Sequence, residues 1–594
     1  MTSETTDLKP ANPDVATIRG ADLLVESLIA ADVDTLFGVP GDTGVVFYDA
    51  LYDRVDDIRH VLARDERHAA KMADAYARAA NRVGVVEVSS GGGTTFVVGG
   101  LGEAYASGVP ILLITSDIHS SSRGTGALTE IDQLALFSAV TKWGAIVDAA
   151  EEIPSRVAEA MHQATTGRPA PVVLVFPEDV LDHMLSNSLS PTDIASALPA
   201  VRPMADEADV VRAATALSAA QRPCAIVGSG VHVSEAYVEL SELADHLALS
   251  VATTIHGKGT IPDSNPWSIG TVGNNGGRPE ANELLESADV VLLVGTRANA
   301  TDTNSWRGPS RTGTTVIQID VDPLRAGRNF PGSIRLVGDA KVVLAQLRSA
   351  TSPAADASRS QRRSEVADAK AHWHTSLGPI GVERTRHANL PTEQLLPSDL
   401  VRVIREVLDS DTLVVADPGT PTPNVSVYWE TDQPGRTVIV PRGHGPMGYA
   451  IPAAVGASFA RPGKPVVALT ADGSFAMACG ELETVARLRL PILYVQMTNN
   501  SLGWIKMLQH LYSDRRYFGV DPGPIDSVAV ASACGLRSVR VDDLDAFRKI
   551  VEDFAERPTA LYVDVQVPHM IDYLPPVPAW AAALQETDAQ RPVY

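Results

Sequence analysis

Short apolar runs alternate with stretches of helical spacing in the first part of the chain. The helical stretches cover Ala21–Ala31 and Glu66–Ala80, and the β-rich runs cover Val83–Val88, Pro110–Thr115 and Pro171–Phe176. Strands that alternate with helices in this way are typical of a parallel sheet with helices on both faces. We therefore predict an α/β domain over residues 15–185.

The same alternation returns in two further blocks, at 204–350 and 398–567. We predict three doubly wound parallel-sheet domains, a linker over 351–397 with a polar helical piece in its middle, and a tail over 568–594 that is either loose or folded over a site. Residues 1 to about 15 are expected to form a disordered tail. The strands predicted for the two later blocks are Cys224–Val227, Ser250–Thr254, Val290–Val294, Val316–Ile319, Leu413–Ala416, Val438–Val440, Val466–Thr470, Ile492–Met497 and Ala560–Val565.

The charge balance of the chain limits the kinds of molecule that it is expected to bind. The chain carries 49 Lys and Arg residues against 72 Asp and Glu residues, for a formal net charge of -23. This excess of negative charge argues against a surface that tracks nucleic acid and against binding to anionic membranes. No apolar run approaches the length of a membrane span, and the first residues lack the apolar core of a signal peptide. Together with three widely spaced cysteines, Cys224, Cys479 and Cys534, these features predict a cytoplasmic protein with reduced thiols.

Candidate chemistry is concentrated in one stretch of the third block. An apolar run, Val466–Thr470, a helical stretch, Glu481–Leu488, and a second apolar run, Ile492–Met497, predict a crossover that places two strands side by side in a parallel sheet. Asp472 and Asn499 directly follow these strands. We expect both side chains at the carboxyl edge of the sheet, where α/β proteins bind ligands.

The residues at these two strand ends suit a metal–diphosphate site. Carboxylate and amide oxygens are ligands that Mg²⁺ uses while it shares phosphate oxygens. Gly473, Ser474 and the helix that follows would offer backbone N–H groups and a positive dipole end to the phosphate. Asp472, Gly473, Ser474 and Asn499 therefore predict a site for a magnesium-bridged diphosphate.

This stretch resembles the magnesium motif of the thiamine diphosphate (ThDP)-dependent superfamily of acetolactate synthase, pyruvate decarboxylase and benzoylformate decarboxylase, with Ala471 in place of the motif's first glycine. The resemblance extends from about residue 21 to residue 567 and is closest overall to acetolactate synthase-like proteins. It implies a pyrimidine-binding, a central and a diphosphate-binding domain. It also implies that the metal ligands include the Ser501 carbonyl, and that Thr420 and Gly503 contact the cofactor.

Two other stretches carry the same resemblance. "ARDERHAAKMADAYAR" resembles the segment with the family's catalytic glutamate, which assigns that role to Glu66. There a carboxylate bonded to the pyrimidine ring promotes removal of the thiazolium C2 proton. "GHGPMGYAIPAAVGA" resembles the segment that grips the aminopyrimidine, so that Met447 would hold the cofactor bent and the Gly445 carbonyl would accept from its 4′-amino group.

The substrate side is less defined. "LFGVPGDTGVVFYDAL" resembles the first active-site loop and makes Gly41 and Asp42 candidate substrate residues. Thr129 stands where acetolactate synthases usually carry a glutamine, and His256 and His444 fall in loops that can face a substrate. The paired histidines of pyruvate decarboxylases are absent, so a plain pyruvate decarboxylase is not expected.

The middle block departs from the acetolactate synthase pattern at "VGTRANATDTN", where only Arg297 matches. FAD or another nucleotide in the central domain therefore stays open, and this departure counts against both FAD binding and acetolactate synthesis proper.

The resemblance implies an enzyme that uses ThDP and Mg²⁺ to make or break a C–C bond beside a carbonyl group of a small 2-oxo acid or related substrate. A 2-hydroxyacyl-CoA lyase and a cyclic-diketone hydrolase of the same superfamily are the alternatives. An inactive ThDP-binding regulatory subunit is the alternative from another class. The resemblance further implies a homodimer or homotetramer with active sites shared between chains.

Overall fold

The computed structural model describes residues 17–186, 191, 193–387 and 389–585. The predicted disordered tail at the start of the chain lies outside these residues. Three six-stranded parallel sheets, each flanked by helices, confirm the predicted fold class. In the described part of the chain, no helix is both long and apolar enough to cross a membrane.

The N-terminal domain contains one six-stranded sheet and one small antiparallel pair. Its strands are β1 (Thr17–Arg19), β2 (Thr35–Val39), β3 (Arg59–Leu62), β4 (Gly84–Val88), β5 (Ile111–Asp117), β6 (Trp143–Ile146), β7 (Val172–Pro177) and β8 (Met184–Ser186). Its helices are α1 (Gly20–Ala30), α2 (Val45–Tyr52), α3 (Glu66–Ala80), α4 (Gly92–Ser107), α5 (Gln133–Phe137), α6 (Ile153–Thr165) and α7 (Glu178–Asp182). The sheet order is β3-β2-β4-β5-β7-β6, and β1 pairs with β8.

The central domain is wound differently, in the order β11-β10-β9-β12-β13-β14. Its strands are β9 (Pro223–Val227), β10 (Ser250–Thr253), β11 (Ser268–Thr271), β12 (Val290–Val294), β13 (Thr315–Asp320) and β14 (Ile334–Val337). Its helices are α8 (Glu207–Ala219), α9 (Ser229–Ser234), α10 (Tyr237–Leu247), α11 (Pro279–Glu286) and α12 (Ala340–Ala350). The connection to the third domain contains α13 (Asp356–Leu377) and α14 (Val382–Arg386).

The C-terminal domain repeats the strand order of the N-terminal one, as β16-β15-β17-β18-β20-β19. Its strands are β15 (Leu413–Ala416), β16 (Val438–Ile439), β17 (Val466–Ala471), β18 (Ile492–Thr498), β19 (Arg537–Val541) and β20 (Leu561–Gln566). Its helices are α15 (Pro397–Val407), α16 (Pro421–Tyr428), α17 (Ala450–Ala460), α18 (Asp472–Phe475), α19 (Leu482–Leu488), α20 (Gly503–Tyr512), α21 (Ser527–Ala533) and α22 (Leu544–Glu556), with α23 (Pro578–Ala583) in the tail. The predicted pairing of β17 with β18 is confirmed.

The N-terminal and C-terminal domains share one hydrophobic core. Helix α3 is buried on nearly all sides from His68 to Ala79 because it lies between the two domains. Its main partner is α17, and the two helices approach so closely that a Cβ on Gly456 would lie 1.9 Å from the Met72 carbonyl oxygen. This packing fixes α3, and with it Glu66 at its first position, relative to the C-terminal domain.

Candidate active site

A cleft opens at the carboxyl ends of β15, β17 and β18. This is the edge at which doubly wound sheets bind ligands. Every C-terminal-domain residue that we predicted to bind cofactor or metal lines it, and so does the candidate substrate residue His444. The predicted residues in the lining are Thr420, Gly445, Met447, Asp472, Gly473, Ser474, Asn499, Ser501 and Gly503.

Backbone donors hold the Asp472 carboxylate in place. Oδ1 accepts from the N–H of Gly473 at 2.8 Å, and Oδ2 accepts from the N–H groups of Asn499 at 3.1 Å and Asn500 at 2.5 Å. Burial raises the pKa of the Asp472 carboxyl, and these three donors oppose that shift. The loop after β18 is thus tied to the loop after β17, as the strand crossover requires.

Two polar atoms of the cleft lack a protein partner among the described residues. Asn499 Oδ1 and Ser474 Oγ are shielded from solvent and accept or donate no hydrogen bond there. A buried polar atom without a hydrogen-bond partner lowers the stability of the protein. Binding of a ligand that supplies the missing partner is therefore favoured. Asp472, Asn499 and the Ser501 carbonyl fit the oxygen donors that Mg²⁺ prefers, and the Ser474 hydroxyl fits a phosphate oxygen.

Two glycines of the cleft allow neighbouring side chains to pack closely against the backbone. A Cβ on Gly473 would lie 2.9 Å from Met447 Cε and 2.9 Å from Leu502 Cδ2. A Cβ on Gly503 would lie 2.9 Å from the Asn499 amide nitrogen. The Met447 side chain therefore packs against Gly473 in the turn that follows β17.

A buried glutamate of the N-terminal domain shapes the loop that carries Gly445. Glu103, on α4, accepts from the N–H groups of Gly443 at 3.0 Å, His444 at 2.7 Å and Gly445 at 3.2 Å. The Arg78 guanidinium and the Ser107 hydroxyl also donate to it, at 3.0 and 2.6 Å. Burial opposes ionisation of Glu103, but Arg78 and these donors outweigh it and lower the pKa of the carboxyl.

Further polar contacts tie α3 to the same loop. Arg78 forms two hydrogen bonds with Asp74, and the Tyr449 hydroxyl also donates to Asp74. Lys71 Nζ donates to the carbonyls of Met447 at 3.4 Å and Gly448 at 3.0 Å. Burial lowers the pKa of Lys71 to about 8. The predicted cofactor loop is thus held from one side by the N-terminal domain of its own chain.

The remaining predicted residues of the N-terminal domain form a separate group. Thr129 Oγ1 accepts from the Ser90 hydroxyl at 2.8 Å, and a Cβ on Gly41 would lie 2.1 Å from Ser89 Oγ. A Cβ on Gly93 would lie 3.6 Å from Glu66 Oε1 and 3.3 Å from Ser89 Oγ. Gly41, Glu66 and Thr129 therefore gather around the loop after β4, next to Asp42 in the 3₁₀ turn Asp42–Gly44. None of them is in the lining of the C-terminal cleft.

His256 lies in a third place. It lines a cavity between the N-terminal and central domains, together with Arg168, Arg297 and Arg325. His256 Nε2 accepts a hydrogen bond from the backbone N–H of Arg442 at 3.2 Å. Burial lowers the pKa of the His256 imidazole well below its usual value. In this position it supports the loop before Gly443, and its substrate role stays a prediction, as does a nucleotide in this cavity.

Sequence reasoning missed Glu103 and a second buried carboxyl, Glu87. Each is the single charged residue of its element, Glu103 in α4 and Glu87 in β4. A lone charge in an otherwise apolar or small-residue element is the signal that could have found them, because a buried charge needs partners.

Comparison with known proteins adds the family. Three models of thiamine pyrophosphate enzymes match the chain: the N-terminal TPP binding domain at residues 18–136, the central domain at 210–347 and the C-terminal TPP binding domain at 417–565. Thiamine pyrophosphate (TPP) is the same compound as ThDP.

Relatives match over most of their length. A probable acetolactate synthase large subunit of Methanocaldococcus jannaschii is 31% identical over 94% of this chain and 94% of its own. The acetolactate synthase isozyme 3 large subunit of Escherichia coli is 31% identical over 88% of this chain and 90% of its own. The mitochondrial acetolactate synthase catalytic subunit of Saccharomyces cerevisiae is 28% identical over 96% and 84%. The chain belongs to the thiamine pyrophosphate enzyme family.

Proposed function

We propose that the protein is a ThDP- and Mg²⁺-dependent enzyme that makes or breaks a C–C bond beside a carbonyl group, as an acetolactate synthase-like carboligase acting on a 2-oxo acid or a related carbonyl compound. The observation that carries the proposal is the cleft in which the Asp472 carboxylate, Asn499 Oδ1 and Ser474 Oγ converge. Bound ThDP supplies a thiazolium carbon that acts as a nucleophile toward carbonyl groups.

The residues of the cleft take distinct roles in this proposal. Asp472, Asn499 and the Ser501 carbonyl would hold Mg²⁺ and, through it, the diphosphate. Gly445 would present its carbonyl to the aminopyrimidine, and Met447 would hold the cofactor bent. The Glu66 carboxylate would hold the proton that passes to and from the pyrimidine ring.

The proposal includes a homodimer or homotetramer. Glu66 lies outside the cleft of its own chain, and the carboxyl edges of the two outer domains carry separate halves of the predicted set. A two-fold partner can bring its own Glu66 to the cleft and receive Glu66 in return. The three unpaired cysteines suit a reducing compartment, which supports a cytoplasmic location.

The test begins with cofactor binding. We expect calorimetry to show Mg²⁺-dependent ThDP binding, and NMR to show enzyme-accelerated exchange of the cofactor C2 proton. Asp472→Ala should weaken ThDP binding at least about tenfold while the circular dichroism spectrum is retained, because a loop ligand contributes little to the core. Unchanged ThDP affinity in that variant would place the metal elsewhere.

Product analysis then identifies the reaction. The protein is supplied with 2-oxo acids, with and without aldehyde acceptors, and with a 2-hydroxyacyl-CoA. Release of CO₂ with a 2-hydroxyketone product, or with a 2-acyl-2-hydroxy acid product, supports the carboligase proposal. Turnover of the thioester alone, or binding of ThDP without C2 exchange, would replace it with a lyase or a regulatory subunit.

A further inference from the structure

The central domain has a pocket of its own, between the loop that precedes β13 and the loop that precedes β14. Its described lining includes Arg311, Thr315, Arg328, Phe330 and Ser333. None of its lining residues also lines the cofactor cleft or the cavity between the N-terminal and central domains. The pocket is thus separate from the residues assigned to the proposed reaction.

Two glycine-containing turns shape one side of this pocket. Pro331 and Gly332 lie at the centre of a turn in which the Ser333 N–H donates to the Phe330 carbonyl at 3.1 Å. Gly332 has a φ of +89°, as the third residue of a type II turn requires. A Cβ on Gly327 would lie 2.9 Å from Ser333 Oγ. The absence of a side chain at that glycine therefore lets the two turns meet.

Two arginines of the pocket have no carboxylate partner among the described residues. Arg328 directly follows the first of these turns, and its guanidinium forms no hydrogen bond or ion pair there. The guanidinium carbon of Arg311 lies 4.2 Å from the centroid of the Trp306 ring, which meets Phe330 edge to face at 5.9 Å between centroids. Stacking on an aromatic face leaves the N–H groups at the edge of a guanidinium free to bind an anion.

No carboxylate or histidine of the described chain lines this pocket. Of the nearby acids, Glu286 accepts from the Asn304 side chain at 2.8 Å. Asp289 accepts from the backbone N–H groups of Gln221 at 2.7 Å and Arg222 at 2.8 Å. Two like charges that face one pocket repel each other, so an anion that joins them is bound favourably.

Hydroxyl groups add donors beside the two cations. Ser333 Oγ is shielded from solvent and has no hydrogen-bond partner in the described part of the chain. Thr314 and Thr315 also line the pocket, and their hydroxyls form no hydrogen bond with other described residues. Val316 and Phe330, both buried, supply an apolar wall. The lining thus combines donors for an oxyanion with a surface for an apolar group.

The loop that carries Arg328 is already fixed in place. The side chain of the next residue, Asn329, donates through Nδ2 to the carbonyls of Arg297 at 2.9 Å and Ala298 at 3.2 Å. A loop that is anchored before a ligand arrives loses little conformational freedom when the ligand binds.

We propose that this pocket binds a phosphate monoester, with the phosphate group held by Arg311 and Arg328 and the organic group packed against Phe330. A phosphate monoester carries close to two negative charges at pH 7 and three acceptor oxygens, which match two guanidinium groups and several hydroxyls. A carboxylate offers one charge and two oxygens and fits the set less well. The proposal goes beyond the proposed function, because it involves neither ThDP nor a carbonyl substrate.

The binding test titrates phenyl phosphate, inorganic phosphate and benzoate into the protein by calorimetry at constant ionic strength. Phenyl phosphate should bind at least about tenfold more tightly than benzoate because of its second charge. It should also bind more tightly than inorganic phosphate, because its ring covers the apolar wall. Its affinity should rise from pH 5 to pH 7 as the ester loses its second proton, while that of benzoate stays nearly constant.

Variants then locate the site. Arg328→Gln should weaken phenyl phosphate binding at least about tenfold. Thr315→Glu, at an exposed position of the lining, should do the same by placing a negative charge in the pocket. Arg557→Gln and Thr559→Glu, at exposed positions of the C-terminal domain, are the matched controls and should leave the affinity unchanged.

Equal binding of phenyl phosphate and benzoate to the wild type would overturn the proposal. So would wild-type affinity for phenyl phosphate in folded Arg328→Gln or Thr315→Glu protein. Each titration is run with and without ThDP and Mg²⁺, and binding that persists in the loaded protein supports this pocket. Displacement of the ester by ThDP would instead assign it to the cofactor cleft. The proposed function is judged separately, from C2 proton exchange without any phosphate ester.

Discussion

Glu87 is a carboxyl group placed almost entirely out of contact with water. Glu87 lies on β4 and is 1% exposed. The Tyr48 hydroxyl donates a hydrogen bond to Glu87 Oε2 and lies 3.2 Å from His60 Nε2. Burial raises the pKa of Glu87 to about 8, the bond from Tyr48 opposes the shift, and the charge of Glu66 adds to it. At neutral pH this carboxyl therefore tends to keep its proton, close to the residue predicted to manage the proton of the cofactor.

That shift makes stability depend on pH. The pKa of Glu87 is about 8 in the folded protein and lies near 4.5 for an ordinary glutamate, so the folded state holds the proton more tightly. The stability that this provides is complete below pH 4.5 and is lost as the pH rises to about 8, at a slope of up to about 1.4 kcal/mol per unit.

Glu87→Gln, which is neutral throughout and can still accept from Tyr48, should remove this loss. The melting temperature of the variant relative to the wild type should rise between pH 5 and pH 8. The exposed Glu151→Gln is the control and should follow the wild type. Parallel curves for wild type and Glu87→Gln would show that Glu87 is ionised at both ends of the range.

Glu66→Gln should keep ThDP and Mg²⁺ binding and lose turnover by about 100-fold or more, because an amide cannot exchange a proton with the pyrimidine ring. Glu66 is the first residue of α3, and the Asp65 side chain caps the helix by accepting from Arg67 N–H. The change therefore leaves the cap intact. The measurement is C2 proton exchange by NMR beside calorimetric ThDP affinity, and wild-type exchange in the variant would remove Glu66 from this role.

Among the secondary-structure elements, helix α4 fixes the position of the cofactor loop. Glu103 accepts three consecutive backbone N–H groups of that loop, and a Cβ on Gly443 would lie 2.9 Å from the Glu103 carbonyl oxygen. The loop thus follows the surface of a helix that precedes it by more than 300 residues in the chain.

Glu103→Gln should weaken ThDP binding by about 10- to 100-fold, because an amide nitrogen replaces an acceptor for charge-assisted bonds. Glu103→Asp should restore part of the affinity, and Glu159→Gln on the exposed face of α6 should have no effect. If Glu103 merely supported the fold, the melting temperature would drop while ThDP affinity at a temperature well below melting stayed the same.

Local sequence patterns were enough to predict many helices and strands, and the part of the candidate site that lies in the C-terminal domain. Helix α3 was predicted at Glu66–Ala80 and is found there because Asp65 caps its start and Asn81, in the left-handed conformation, ends it. The Asp472–Asn499 pair follows from one crossover between adjacent strands. The contacts of Glu103 and His256 join residues 341 and 186 positions apart, and no local pattern encodes such pairs.

At the scale of the whole molecule, the two outer domains have the same strand order and the central domain another. The similar lengths of the three blocks did not reveal this difference, because apolar periodicity reports strands and not their order in a sheet. One outer domain presents Asp472 and Asn499 at its carboxyl edge, and the other gathers Gly41, Glu66 and Thr129 at its own.

Mixing two inactive variants tests whether a site is shared between chains. Glu66→Gln and Asp472→Ala proteins are dissociated together and reassembled. A mixed dimer would contain one site with both lesions and one with neither, so random reassociation should restore roughly a quarter of wild-type activity. Each variant reassembled alone is the control. Mixed dimers without activity, or an active monomer by light scattering, would show that each chain completes its own site.

The hydrogen bonds between Glu103 and the cofactor loop also limit which segments of this chain can be exchanged with those of a relative. The loop that follows β16 is, by its hydrogen bonds, an outlying part of the N-terminal domain, although its sequence belongs to the C-terminal one. A chimaera that takes its C-terminal domain from a relative would import a loop without the helix to which it was fitted. Crossover points chosen at domain boundaries should thus yield folded hybrids in which the cofactor loop lacks these hydrogen bonds and is poorly ordered. Exchanging α4 together with the C-terminal domain should keep the loop ordered.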